Sequence, residues 1–396
     1  MIPYGRQQVT QADVDSVVEV LRSDFLTQGP VVPRFERAVA ERVGARYAVA
    51  ANSATSALHI ACLALGLGPG DLLWTVPNTF VASANCGRYC GAGVDFVDID
   101  PATWSMSVSS LEVKLKEARR SGRLPKVVVP VHFAGQPTDQ EAICELGKEY
   151  GFRTIEDASH AIGASRNGQD VGSCRWSDIT VFSFHPVKIV TSAEGGMALT
   201  NDPLLAERMS MLRSHGITRD ASRFESQQEE RSLQGGSAPA WYYEQLLLGF
   251  NYRMTDLLAA LGLSQLQRLE EYVLRRNALA RRYDLALKGL PLKLPTVRPE
   301  NRSAFHLYVV RLMADAAGRS HRQVFDALRA SGVGVNLHYF PVHLQPYYRR
   351  LGFAPGQFPE AEAYAREAIT LPLFPGMTDH DQQQVVELLR RTLGLG

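Results

Sequence analysis

The chain has 396 residues, 45% of them apolar, enough for a large core and for about two domains. Lysine plus arginine number 42 against 41 for aspartate plus glutamate, so the charge gives no case for nucleic acid or an anionic membrane as partner. No apolar run is long enough to span a bilayer, and the first ten residues lack the basic-then-apolar pattern of a signal peptide, so a cytoplasmic protein is expected.

Thr10 is a plausible cap for a helix over 10–22, with Val14, Val17, Val18 and Leu21 at helical spacing. Strands then alternate with helices. "YAVAAN" (47–52) predicts a strand, 54–67 a helix, and "LLWTV" (72–76) a second strand. Strands continue at 94–100, 126–135 and 152–159, with helices around 109–120 and 139–150 between them. These strands are almost wholly apolar, as in a sheet buried on both faces, and the alternation predicts an α/β fold with a largely parallel sheet. Ile179–Phe184 and Met197–Thr200 are further apolar runs.

Residues 220–240 are polar and read as a long surface loop. A long helical region follows at 254–288. The pattern then changes to a strand at 304–312, a helix at 321–332, a strand at 333–340 and helices at 359–369 and 378–394. The expected division is an N-terminal arm and first helix at 1–30, a large domain at 31–289 and a smaller α+β domain at 290–396. The five cysteines are scattered. Cys86 and Cys90 share a helix face but have no histidine at metal-ligand spacing, so all five read as buried apolar residues in a reducing compartment.

Several short stretches can carry chemistry. Asn52, Ser53, Thr55 and Ser56 follow a strand and open a helix, which makes either an anion site or ordinary capping. Asp157 ends an apolar strand, where α/β sheets gather ligands; it can hold a ring nitrogen, a metal or a ribose, or cap the next turn. His160 can cap or hydrogen-bond. Phe80 follows the second strand and is either core or the cover of a flat ligand. Lys188, after Ser183 and His185, is the single lysine between two apolar runs. Together these fit pyridoxal 5′-phosphate (PLP), which needs an anion site, an acid for its ring nitrogen, an aromatic cover and a lysine amine.

"EDASHA", "SFHPVKIVTSAEGG" and "GFNYRMTDLLAALGLSQL" resemble the DegT/DnrJ/EryC1 nucleotide-sugar aminotransferases, which are fold-type I PLP enzymes, and the resemblance covers nearly the whole chain. It implies Lys188 as the Schiff-base lysine, Asp157 at the pyridine nitrogen, His160 near the ring hydroxyl and Phe80 on the ring face. It also implies Ala54, Thr55, Ser56 and Ser183 as the phosphate cradle. Asn251 would reach the phosphate of a neighbouring subunit, so a homodimer with a shared site is expected. The N-terminal stretches look closer still to the subgroup that forms UDP-4-amino-4,6-dideoxy-N-acetyl-β-L-altrosamine in pseudaminic acid synthesis. There Tyr4, Leu26, Thr27, Gln28, Gly29, Asn336, Leu337, His338 and Tyr339 would meet the nucleotide sugar. The implied reaction moves an amino group from L-glutamate to C4 of a 4-keto sugar. The alternatives are an aminotransferase on another 3-keto or 4-keto nucleotide sugar, and a non-catalytic sensor of PLP or a sugar. One departure stands out: Ala193 occupies a position where the family often has glycine.

Overall fold

In the computed structural model, which describes residues 1–226 and 239–395, seven strands form the central sheet. Their order is Tyr47–Ala51, Gly196–Thr200, Ile179–Ser183, Arg153–Asp157, Val127–Val128, Leu72–Thr75, Gly93–Phe96. Gly196–Thr200 alone runs against the other six. Ile155, Ile179, Val181 and Ala198 are wholly buried, as their apolar runs require. The expected strand at 126–135 is regular only over Val127–Val128, with one further parallel bridge from Val131 to Asp157. Beyond it the chain turns away through Phe133–Gly135 toward the ligand side of the sheet.

A second sheet, wholly antiparallel, orders Leu292–Lys293, Tyr308–Leu312 and Ala368–Leu371. Helix His321–Ala330, helix Asp379–Thr392 and the later turns of helix Leu269–Leu287 bury its apolar side chains. The expected strand at 333–340 makes isolated bridges, Val333 to Ile2 and Asn336 to Thr370, rather than a regular strand. Asn336–Tyr339 line a cavity instead, while Val333 and Val335 are buried in the core beside the second sheet. The helical region at 254–288 is two helices, Asp256–Leu266 and Leu269–Leu287. Of the 220–240 loop, residues 227–238 lie outside the described residues.

The first helix, Gln11–Leu21, has the expected Thr10 cap, and the Thr10 N–H also donates back to Asp13 Oδ2 at 2.8 Å. Its apolar stripe is not what it buries, because Val14 and Leu21 stay exposed while Asp13 is fully buried. The reason is a polar anchor: Asp13 accepts from Ser264, Gln265 and Arg268, of which Ser264 and Gln265 lie on helix Asp256–Leu266. All five cysteines are free thiols and four are buried. The structure also brings His59 close to Cys90, a proximity that chain spacing hid. Among the described residues no helix is long and apolar enough to cross a membrane.

Candidate active site

A cavity of about 410 Å³ opens where the parallel strands end. That is where an α/β sheet presents loops and helix starts to a ligand. Asp157 is the last residue of its strand, Ser183 the last of the next, and Phe80 follows Leu72–Thr75. Helix Ala54–Ala64 starts at the same edge, just after Tyr47–Ala51. Ala54, Thr55, Phe80, Asp157, His160, Ser183 and Lys188 all line the cavity.

The helix start is prepared for an anion. Ser53 Oγ accepts the Ser56 N–H at 3.1 Å and so satisfies one of the free donors. The Ala54 and Thr55 N–H groups stay available, and the helix dipole favours negative charge there. Ser56 differs from expectation: its hydroxyl is turned inward to Asn52 Oδ1 at 2.6 Å, and it does not line the cavity. The double glycine of "TSAEGG" has a steric reason. A Cβ on Gly196 would lie 2.4 Å from Ala54 N, so only glycine lets this strand pass beneath the helix start. On Gly195 it would lie 2.3 Å from Ser192 Oγ.

Asp157 is held by two donors. Ser83 Oγ donates to Oδ2 at 2.6 Å, and the Ser159 N–H donates to Oδ1 at 3.1 Å. Thr79 Oγ1 in turn lies 2.8 Å from Ser83 Oγ. Lys188 is the opposite case. Its ammonium has no hydrogen-bond or ion-pair partner among the described residues. Burial lowers its pKa to about 8, and Asp157 pulls only weakly the other way. A free amine, an oriented carboxylate, open N–H groups and an exposed aromatic at the mouth fit the chemistry of PLP. The residues that would hold it are Lys188, Asp157, Ala54, Thr55, Ser183 and Phe80.

Tyr4, Asn336, Leu337, His338 and Tyr339 complete the cavity wall. The structure does not bring Leu26, Thr27, Gln28, Gly29 or Asn251 to the cavity of their own chain. Thr27 bridges Thr255, Gly29 donates to Asp256 Oδ2 at 2.7 Å, and Asn251 bridges Ser214. Sequence reasoning missed Ser83, Ser159 and His306. Ser83 sits on helix Ala82–Tyr89 and His306 beside a distant strand, so no local pattern joins them to Asp157 or His160.

Sheet, cavity and lysine define a PLP-dependent aminotransferase of fold type I, and the relatives agree. The model of the DegT/DnrJ/EryC1/StrS aminotransferase family matches residues 7–390. The spore coat polysaccharide biosynthesis protein SpsC of Bacillus subtilis is 38% identical over 98% of this chain and 96% of its own. Helicobacter pylori PseC, described as an aminotransferase of pseudaminic acid biosynthesis, superposes with a TM-score of 0.88 at 28% identity over 99% of each chain. The PLP form of the putative sugar aminotransferase Spr1654 of Streptococcus pneumoniae gives a TM-score of 0.86 at 28% identity, covering 99% of this chain and 98% of its own. The chain belongs to the DegT/DnrJ/EryC1/StrS family and is a PLP-dependent sugar aminotransferase.

Proposed function

We propose that this enzyme moves an amino group from L-glutamate to C4 of a UDP-linked 4-keto-6-deoxy-N-acetylhexosamine, in pseudaminic acid biosynthesis. The working unit is a cytoplasmic homodimer. Residues 31–289 form its cofactor domain and 290–396 its smaller domain. The observation that carries the reading is the cavity wall. Tyr4 and Asn336–Tyr339 meet there opposite Lys188, on a chain that superposes end to end with a pseudaminic acid pathway enzyme.

When bound, PLP supplies an aldehyde that condenses with amines and a ring that takes up the electron pair of a broken bond. Ala54, Thr55 and Ser183 bind its phosphate and fix its position. Asp157, oriented by Ser83 and Ser159, holds the proton on the ring nitrogen. Phe80, 58% exposed in the single chain, covers one ring face and keeps water from it. Lys188 Nζ binds the resident cofactor. When free, the same amine would take up and return a proton at the reacting carbon. A pKa near 8 lets the same atom take and return that proton at neutral pH.

Leu26–Gly29 and Asn251 stand on the surface of their own chain, with the exposed apolar residues Leu21, Phe25 and Leu26 nearby in sequence. In the dimer they complete the partner's site. A second reading, amination of a different keto sugar, is supported by the 38% identity to a spore coat polysaccharide protein. A panel of 3-keto and 4-keto UDP- and dTDP-sugars, incubated with enzyme and L-glutamate and followed by mass spectrometry, decides between them. The UDP-linked 4-keto-6-deoxy-N-acetylaltrosamine should be aminated fastest. If it stays inert while another sugar reacts, the substrate assignment falls.

A further inference from the structure

Behind one wall of the cavity the backbone is strained at neighbouring places. Ala134 and Phe305 have φ of 57° and 44°, a region that residues with a Cβ seldom adopt. Gly135 has φ of 98°, and a Cβ there would lie 2.8 Å from Phe305 N and 2.9 Å from both His160 O and His306 N. The two segments are tied together, with the Ala304 N–H donating to Gly135 O at 2.9 Å and the Leu307 N–H to Ala134 O at 3.3 Å. Arg276, 1% exposed, fastens the far side by donating to the Phe305, His306 and Leu373 carbonyls at 3.2, 3.1 and 3.0 Å. Strain of this kind costs about 1–3 kcal/mol per residue and persists where the surroundings over-determine it, often at functional sites.

What the strained turns achieve is the placement of two rings. His306 lies on His160 with centroids 4.4 Å apart, and His160 stacks on Tyr339 with an interplanar angle of 22°. The Ala134 N–H donates to His160 Nδ1 at 3.3 Å. A backbone N–H can only give its proton, so a neutral His160 must carry its own proton on Nε2. Nε2 lies 3.1 Å from Tyr339 Oη and donates to it. Among the described residues His306 Nδ1 has no hydrogen-bond partner, so packing and backbone anchor the ring rather than that nitrogen.

We propose that His306 is a positioning residue whose ring clamps His160 as the neutral Nε2–H tautomer, and so fixes the direction of the hydrogen bond to Tyr339. Tyr339 Oη then accepts from His160 and turns its own proton into the cavity, toward an oxygen of the bound ligand. This rests on the reading of His160 and Tyr339 as site residues. Burial first, then Lys188 and His338, hold His160 well below the usual imidazole range. Burial, His160, Lys188, Arg276 and His338 do the same for His306. The carboxylates on the cavity are Asp157 and Glu194, and neither forms an ion pair with the two rings.

Long-range ¹H–¹⁵N correlation on the full-length, cofactor-free protein labelled with ¹⁵N-histidine tests this, with His160→Gln providing the assignment. His160 should appear as a single neutral Nε2–H form that does not change between about pH 6 and about pH 8.5, where an ordinary histidine titrates. An Nδ1–H form, or a titration midpoint in that range, overturns the proposal. His306→Leu should free the ring and let an Nδ1–H form of His160 appear beside the Nε2–H form, whereas His306→Phe, which keeps a flat ring, should restore the single form. An unchanged His160 in His306→Leu, or no restoration in His306→Phe, reduces His306 to packing and overturns the clamp. The wild-type pH series needs no variant and decides the point even if His306→Leu fails to fold. PLP added to each protein and followed by its visible absorbance should bind severalfold more weakly to His306→Leu; equal affinity overturns the link to the ligand. If PLP binding does not depend on His160 or Tyr339 while His160 keeps its tautomer, the site reading of those residues fails and the clamp stands.

Discussion

Replacing Lys188 by methionine should make the cofactor-free protein more stable at neutral pH. The amine has no hydrogen-bond partner among the described residues, and burial brings its pKa from 10.5 down to about 8. That drop of about 2.5, at about 1.4 kcal/mol for each pKa unit, bounds the penalty of the charged form at about 3.5 kcal/mol. Lys188 is only half-buried, so solvent screening reduces the expected gain to about 1–2 kcal/mol. Asp157 keeps its Ser83 and Ser159 donors in the variant, so no buried carboxylate is stranded. Between about pH 8 and about pH 10.5 the unfolded chain holds a proton that the folded chain has shed. Wild-type stability therefore rises with pH through that window, and the penalty is complete below it. The advantage of Lys188→Met should be largest at about pH 7 and shrink toward about pH 10.5. Urea unfolding at two pH values, at equal protein concentration and after cofactor removal, measures it. A variant no more stable than wild type at neutral pH, or with the same advantage at both pH values, refutes the reasoning.

Gly196→Ala places a methyl group 2.4 Å from Ala54 N, so the helix start must move. Stability should fall by about 1–3 kcal/mol, and PLP affinity, read by absorbance titration, should fall more than in a distant variant of equal stability loss. Ala193 has φ of 65°, so Ala193→Gly relieves left-handed strain and should raise stability by about 0.5–1 kcal/mol in denaturant titrations, with cofactor binding kept. Arg268→Ala removes two bonds to Asp13, at 2.9 and 2.7 Å, and leaves a buried carboxylate, which should cost about 3 kcal/mol. Burial alone would raise the Asp13 pKa, but the bonds from Arg268, Ser264 and Thr10 outweigh it and hold the group below 3.8. Its contribution is thus complete above that value and lost as pH falls through the lower folded pKa. Acid unfolding of Arg268→Ala, followed by circular dichroism, should shift to higher pH.

Much of the fold was legible because it is written locally. Continuous apolar runs such as Ile179–Phe184 read as strands of a doubly covered sheet, and Asp157, Ser183 and Phe80 stand at or just after the ends of such runs. The first helix was half legible: its cap was visible, but its burial was not, because Asp13 is held by Arg268 and by Ser264 and Gln265 of another helix. The strand expected at 333–340 failed for a related reason. Val333 and Val335 do enter the core, but Leu337 and Tyr339 line a cavity, and nothing in a hydropathy pattern distinguishes that wall from a sheet face. The glycines of "TSAEGG" look like turn residues in sequence. Gly196, however, has no positive φ and is required by the nearby Ala54 backbone.

The two groups at the centre of the cavity divide the chemistry through their partners. Asp157 has a hydroxyl on one oxygen and a backbone N–H on the other, so its direction is set before any ligand arrives. Lys188 has neither, and its surroundings penalise the one state, ammonium, in which it could not act as a nucleophile. Exchanging those environments would undo both roles. A solvated lysine would remain protonated at neutral pH, and an unheld aspartate would lose the fixed direction that a ring nitrogen needs. If Asp157 holds the ring nitrogen as proposed, Ser83 and Ser159 act through it, and a loss of activity at Ser83 should trace to Asp157 rather than to Lys188.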